Sequence, residues 1–477
     1  MGGDLIKKLV IVLVPLITLI SLGVFFTMTN RETIEISASP DEQKFTPEVL
    51  NAGNENQYVI DFVMNEEGKF EVDSTVHIKN TSADPWNEVV FYFIPNLFTK
   101  ENSPNLRKPA VVEIETVKVN GADASFTLNE DTLAVQLEDK LLPDNETEIS
   151  VQYSFTLPIN GFRFTINSGN YYLAQWYPMV ATYRNGRWNK EDYVYYAETY
   201  HTGFSDFTIH YEIPEGYTIV STGDADQYPS TSSGSLSATN VKEFFMTILK
   251  DTTLTQGQFE DINVRLFDVG NYEKYTEDIL QISLDAVQYF QQTFGKYPHK
   301  QLDIVLDEVS MEYPGIVTAG IIRNYLLRPE QINSTVVHEI AHQWFYGVIS
   351  NDPFYDGWLD EGFATLTTGL FYAHLEGIEY DIKDNYYFQS YPLAVNLPVN
   401  TYETNEKSTY LYSKPAFKIW SIFKEQGGQK RLEDFLKNYY ETYQFKELNT
   451  QEFVRFLSHY LDIEDDTHFE DWILLDK

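Results

Sequence analysis

Apolar residues recur with two different periods along this chain, and the change between them limits what it can fold into. From about Tyr58 the spacing is two. Phe70, Val72, Val76 and Ile78 share a face with Ser74 filling the gap, and Leu133, Val135 and Leu137 alternate in the same way. Ile149, Val151, Tyr153 and Phe155 follow, and then Phe207, Ile209, Tyr211 and Ile213. Spacing of two places every second side chain on one face of a strand. Asn120-Gly121, just after Val117 and Val119, is a hairpin-turn signal, and Ser230 to Ser237 is a Ser/Gly-rich loop. Near Tyr275 the spacing turns helical: Ile279, Ile282, Leu284, Val287, Phe290 and Phe294 form a stripe, stopped by Gly295 and followed by Pro298. Leu302 to Leu306 reads as a strand. Phe417, Ile419, Trp420, Phe423, Phe435 and Tyr439 return to helical spacing. The expectation is a multidomain chain: an all-β, sandwich-like N-terminal domain over residues 55–272, then a mainly α (α+β) domain over 273–477, with the boundary near 268–274. No fixed-period repeat of the solenoid kind is present.

The amino terminus belongs to neither half. Lys7 and Lys8 precede an apolar run from Leu9 to Met28, long enough for a helix to cross a hydrocarbon core of about 30 Å. The lysine pair predicts that residues 1–8 stay cytoplasmic, so the rest of the chain lies outside the cytoplasm, held at the cell membrane by a single-pass anchor at 9–28. Cleavage as a signal peptide, with Ser21-Leu22-Gly23 as the small-x-small site, is the alternative and would give a secreted protein. Residues 29–54 are polar and aperiodic and read as a flexible linker.

Composition removes whole classes of partner and chemistry. With 34 basic against 71 acidic residues the net charge is −37, which repels a polyphosphate backbone and argues against nucleic acid. Cysteine is absent, so disulfides, thiol nucleophiles and Cys-ligated metals are excluded. Any metal must be held by His and carboxylate ligands, and the chain has only 9 His.

Two of those nine stand four residues apart, in Val336-Val337-His338-Glu339-Ile340-Ala341-His342. On a helix, positions i and i+4 share a face, so His338 and His342 can present two imidazoles to one metal. Glu339, one residue round, is placed to act as base on a water at that metal rather than as a ligand. Eighteen residues separate His342 from Glu361, which lies at the start of a second expected helix in Trp358-Leu359-Asp360-Glu361-Gly362-Phe363-Ala364. Two His, one Glu and one open position suit a catalytic Zn²⁺, one per chain. The competing reading packs the two His in a helix–helix interface and uses Glu361 as a helix cap.

These segments resemble the gluzincin aminopeptidases, the group that includes alanyl aminopeptidase and aminopeptidase N. Their signature is H-E-x-x-H, eighteen residues, then the Glu of W-L-N-E-G-F-A; here Asp360 replaces the Asn. Tyr297 to Val305 is similar to the family strand that leads to the active site. The resemblance is strong from about residue 275 to 425 and looser in the β-rich half. It implies a thermolysin-like zinc metallopeptidase domain. It also implies that Glu312, in Val309-Ser310-Met311-Glu312-Tyr313, binds the free amine of the substrate as in the family's G-x-M-E-N strand. Met311 and Glu312 match there, whereas Val309 and Tyr313 depart from it. Tyr412, in Tyr412-Ser413-Lys414-Pro415, matches the oxyanion-stabilising tyrosine of Y-x-K-G with Pro for Gly, and Tyr410 is its rival. The family's Gln or Glu from the β domain corresponds to Gln175, in Leu173-Ala174-Gln175-Trp176-Tyr177-Pro178. Full-length relatives carry a long helical superhelix after the catalytic domain. This sequence ends at Lys477, so the resemblance is to a short, membrane-anchored form with an open cleft.

The expected function is therefore zinc-dependent removal of N-terminal amino acids from peptides outside the cytoplasm. Two alternatives stay open at this point: an endopeptidase using the same chemistry, favoured if Tyr313 disrupts amine recognition, and a membrane-tethered binding or scaffold protein that keeps the fold.

Overall fold

The structure is a computed structural model that describes residues 45–475, apart from 195–196, 225, 271, 308, 321–328 and 383–385. The apolar run at 9–28 and most of the expected linker lie outside the described residues. Among the described residues no helix is long and apolar enough to cross a membrane.

The period-two segments become strands. Asn54–Met64 and Lys69–Asn80 pair antiparallel, and Ser205–Glu212 runs parallel to the first of them. They sit inside a seven-stranded sheet that also takes in Ser233–Val241, Glu146–Thr156, Val112–Val119 and Ala122–Asp123. Phe70, Val72, Ser74, Val76 and Ile78 all face the core, as do Ile149, Val151, Tyr153 and Phe155. Asn120 and Gly121 both hold positive φ, +51° and +81°, which a two-residue hairpin turn between right-twisted strands requires. Two four-stranded sheets, one containing Trp86–Tyr92 and one containing Asn170–Leu173, close over the inner face. The core between them is aromatic: Phe70 stacks on Phe155 and Tyr58 on Phe207 at centroid distances of 4.8 and 4.7 Å. Each such ring contributes about 1.5–3 kcal/mol through burial.

The strands Thr253–Phe259 and Ile262–Asp268, which alternate like the β-rich half, belong to a different sheet. Ile262–Asp268 pairs in parallel with Gln301–Leu306, which pairs in parallel with Ile316–Ala319. Sheet membership thus changes near residue 252, ahead of the change in period. Among the described residues six helices longer than two turns accompany this sheet, α1 (Thr276–Thr293), α2 (Pro329–Ala341), α3 (Trp358–Glu376), α4 (Lys414–Glu425), α5 (Gly428–Tyr443) and α6 (Thr450–Leu461), with a single turn at Pro353–Asp356 between α2 and α3. Helix α2 is core: Val336, Val337, Ile340 and Ala341 are all fully buried. That is why apolar residues flank His338 and Glu339 on both sides. Phe363 on α3 stacks between Phe345, just past α2, and Tyr439 on α5, and this fixes the start of α3 against the end of α2.

Candidate metal and catalytic centre

The last turn of α2 and the first turn of α3 meet at three atoms. His338 Nε2 and His342 Nε2 stand 3.2 Å apart, and Glu361 Oε2 lies 3.2 and 3.1 Å from them. His342 Nδ1 lies 3.0 Å from the carbonyl of Phe345. A carbonyl only accepts, so Nδ1 carries the proton and Nε2 keeps its lone pair. Lone pairs converging in this way call for a cation. In a tetrahedral shell with bonds of about 2.0–2.2 Å, neighbouring donors sit about 3.3–3.6 Å apart, so the set, slightly closer than that, fits Zn²⁺.

The electrostatics agree. Burial works to raise Glu361, but the two imidazoles hold its carboxyl well below the usual range, and its place in the first turn of α3 adds the favourable helix dipole. Glu312, Glu339 and His342 offer donor atoms all within 4.8 Å of one another. Burial pushes both Glu312 and Glu339 up, helped by Glu339 and Glu361 in the first case and by Glu361 and Glu198 in the second. Burial alone would lower His342, yet Glu312, Glu361 and Glu339 together pull it up. The centre has an excess of carboxylate that positive charge would relieve.

The supporting elements explain how these residues arrive. Glu312 sits on a short bend whose ends are tied: Met311 and Thr318 exchange backbone hydrogen bonds of 3.0 and 2.9 Å. Gln343, just past α2, accepts from the Gly315 amide at 2.8 Å and donates to the Tyr313 carbonyl at 3.0 Å. The Tyr313 ring stacks on Phe245 at 3.8 Å, so its size is absorbed by the core rather than by the cleft. Asp360 accepts from its neighbour's amide, Glu361 N, at 2.7 Å and from Asn351 Nδ2 at 3.1 Å, fixing the first turn of α3.

Tyr412 lies on a π-helical turn, Thr409–Ser413, that precedes α4. Its hydroxyl donates to Glu361 Oε1 and its ring stacks over His338 at 5.7 Å. Tyr410 points elsewhere, stacking on Tyr402 at 4.6 Å. Lys414 braces the turn by donating to the carbonyls of Tyr391 and Leu393 at 3.0 and 2.7 Å. Gly362 is where this turn touches α3, since a Cβ there would meet Pro415 Cγ at 2.8 Å.

Gln175 does not join this group. Its amide nitrogen donates to Glu243 at 2.7 Å and Tyr200 at 3.1 Å, while a cavity opens beside Glu361. That cavity, of about 270 Å³, is bounded by Glu361, Asp360 and Tyr412 on one side and by Arg163 and Glu198 of the β-rich half on the other. Arg163 Nη1 donates to Glu198 Oε1 at 2.8 Å. Sequence reasoning missed this pair; both residues lie in irregular segments, and no spacing connects them.

Comparison with known proteins gives a consistent picture. Residues 279–472 match the peptidase family M1 domain. The chain is 26% identical over 211 residues to mouse aminopeptidase RNPEPL1, covering 38% of this chain and 29% of that protein. It is 30% identical over 130 residues to the alanine/arginine aminopeptidase of Saccharomyces cerevisiae, covering 25% and 15%. The matched part thus spans less than a third of these relatives. Among solved structures, an M1 zinc metallopeptidase from Deinococcus radiodurans superposes with a TM-score of 0.62 at 16% identity, covering 90% of this chain and 96% of that one. A mutant of that protein has been solved with a Tyr-Ser-Ala substrate, and it superposes with a TM-score of 0.61. At such identity the likeness is one of fold: a β-rich domain followed by an α-containing peptidase domain.

Proposed function

Residues 279–472 are a peptidase family M1 domain of the gluzincin, aminopeptidase N-like kind, and on that premise we propose that the chain is a zinc aminopeptidase acting on peptides. The observation that carries the reading is the meeting of His338, His342 and Glu361 beside two further buried carboxylates, Glu339 and Glu312.

Held by His338, His342 and Glu361, zinc would supply Lewis acidity and a lowered pKa for water. The chain's own residues divide the remaining work. Glu339, whose pKa burial raises toward the working range, takes the proton of the attacking water and returns it to the leaving amine. Tyr412, with its hydroxyl at the donor set, stabilises the oxyanion that forms at the scissile carbonyl. Glu312 pairs with the substrate's free amine and so restricts cleavage to the first residue. Arg163 and Glu198 form the far wall of the space beside Glu361 and Tyr412, where a substrate side chain would fit. The Tyr-Ser-Ala substrate of the Deinococcus radiodurans mutant supports short peptides as substrate class.

We place the catalytic half outside the cytoplasm, tethered by the apolar run at 9–28; the lysine pair before that run supports this orientation. Protease accessibility of the catalytic half in intact cells tests the placement, and protection from protease would reverse it.

Matched peptides with free and acetylated amino termini test the activity. Cleavage of the free form alone is expected. Equal cleavage of both would make the enzyme an endopeptidase and release Glu312 from the role of anchor.

A further inference from the structure

Gln175, bonded to Glu243 rather than to the metal donors, belongs to a second buried polar cluster. Its centre is Glu243, between the strands Ser233–Val241 and Met246–Lys250 of the β-rich half. Only 1% of Glu243 is exposed. Its Oε1 accepts from the hydroxyls of Tyr200, at 2.7 Å, and Tyr346, and its Oε2 accepts from Gln175 Nε2 at 2.7 Å. Two of the donors come from the β-rich half. The third, Tyr346, comes from the loop that leaves α2.

Tyr346 is conformationally unusual. It holds φ at +142°, in a region that side chains with a Cβ rarely enter, and persists there only because its surroundings over-determine it. Its nitrogen shares a peptide plane with the carbonyl of Phe345, and that carbonyl is the acceptor for His342 Nδ1. Rotation at Tyr346 would swing the Phe345 carbonyl off Nδ1. The Gly347 amide, bonded to the His342 carbonyl at 2.9 Å, closes the same turn. An unbroken path therefore runs from Glu243 through the Tyr346 hydroxyl and the Phe345–Tyr346 peptide to the imidazole that presents Nε2 to the metal.

We infer that Glu243 is a positioning residue for the metal site: from the β-rich half it holds Tyr346 in its strained conformation and so fixes the aim and tautomer of His342. The inference rests on the zinc aminopeptidase reading and assigns to that site a control located outside the peptidase domain. A buried carboxylate is a costly means of joining two layers, since apolar contacts serve that purpose as well or better. What the carboxylate adds is direction, through three fixed donors. Partners that orient a metal-binding imidazole change metal affinity by about 10–100-fold when removed.

The test is metal affinity, read without turnover. The full chain, stripped by a chelator, is titrated with Zn²⁺ against a chromophoric competitor, and the Co²⁺-loaded form gives a visible spectrum of ligand geometry. Tyr346→Phe and Glu243→Gln are each expected to weaken Zn²⁺ binding about 10–100-fold and to shift the Co²⁺ bands. The double variant should be no weaker than the weaker single one. Val151→Ala, in the core of the seven-stranded sheet, controls for lost stability: it should lower Tm while keeping the parental affinity. Tyr346→Phe keeps the ring and removes one oxygen, so it carries the test if Glu243→Gln fails to fold. Parental affinity and spectrum in Tyr346→Phe would overturn the inference. Failure of the parental chain to bind Zn²⁺ would instead overturn the reading of the site itself.

Discussion

At the scale of single residues, the centre separates holding from reacting. His338, His342 and Glu361 turn their donor atoms toward one another at 3.1–3.2 Å, whereas Glu339 turns toward Glu312 and His342. Glu339→Gln should therefore keep metal content near one per chain and lower kcat by about 10²–10⁴-fold, as measured by elemental analysis beside steady-state kinetics. Full turnover would remove Glu339 from the mechanism. Tyr412→Phe removes a donor that acts on charge developing in the transition state. Its kcat should fall about 10²–10³-fold with KM little changed, and a rise in KM alone would make the hydroxyl a ground-state contact. The metal donors were legible in the sequence because i, i+4 geometry is local: once α2 exists, His338 and His342 must share a face. Gln175 was not. It holds φ at +48°, and a residue in such a turn aims its side chain where no regular period predicts. Arg163 and Glu198 meet only through the tertiary fold.

At the scale of elements, hydrophobic spacing located helices better than it located their faces. Helix α1 spans the expected stripe, yet Ile282 and Leu284 are only half-buried while Ser283 and Ala286 are buried. Small side chains let neighbouring elements approach. Ser283 can occupy the inner face because its hydroxyl donates to the Ile279 carbonyl at 2.6 Å. A pattern weighted by hydrophobicity alone does not register this. The same logic of close approach governs Gly362, where α3 meets the turn that carries Tyr412. Gly362→Ala would place a methyl group 2.8 Å from Pro415 Cγ and 2.9 Å from Pro415 Cβ, and a ring locked at the start of α4 gives way poorly. The expected cost is about 1–3 kcal/mol, read as a lowered midpoint in denaturant. Activity should fall as well, because the contact sets the distance between Glu361 and Tyr412. A variant with unchanged midpoint and unchanged kcat would show that the turn relaxes freely.

At the scale of the molecule, the β-rich half and the helical half are joined by buried charge as well as by apolar surface. Arg184 of the β-rich half donates to Glu447, between α5 and α6, and His201 Nε2 lies 3.0 Å from the same carboxylate. Glu447 is buried; burial alone would raise its pKa, but His201 and Arg184 override it and hold the carboxyl well below the usual range. A carboxyl depressed in the folded state binds its proton more readily when unfolded. Its contribution is thus fully present above the unfolded value of about 4.3 and is lost as pH falls through and below it. Glu447→Gln keeps the shape but takes the charge partner from half-buried Arg184, which still donates to the Asn51 carbonyl, at a cost of about 1–3 kcal/mol at neutral pH. The stability difference between parent and variant is read from denaturant unfolding at a series of pH values. It should shrink as pH falls below about 4.5. A difference that stays flat into acid would mean that Arg184 and His201 do not hold Glu447 ionised, and that the two halves are joined at this point by packing alone.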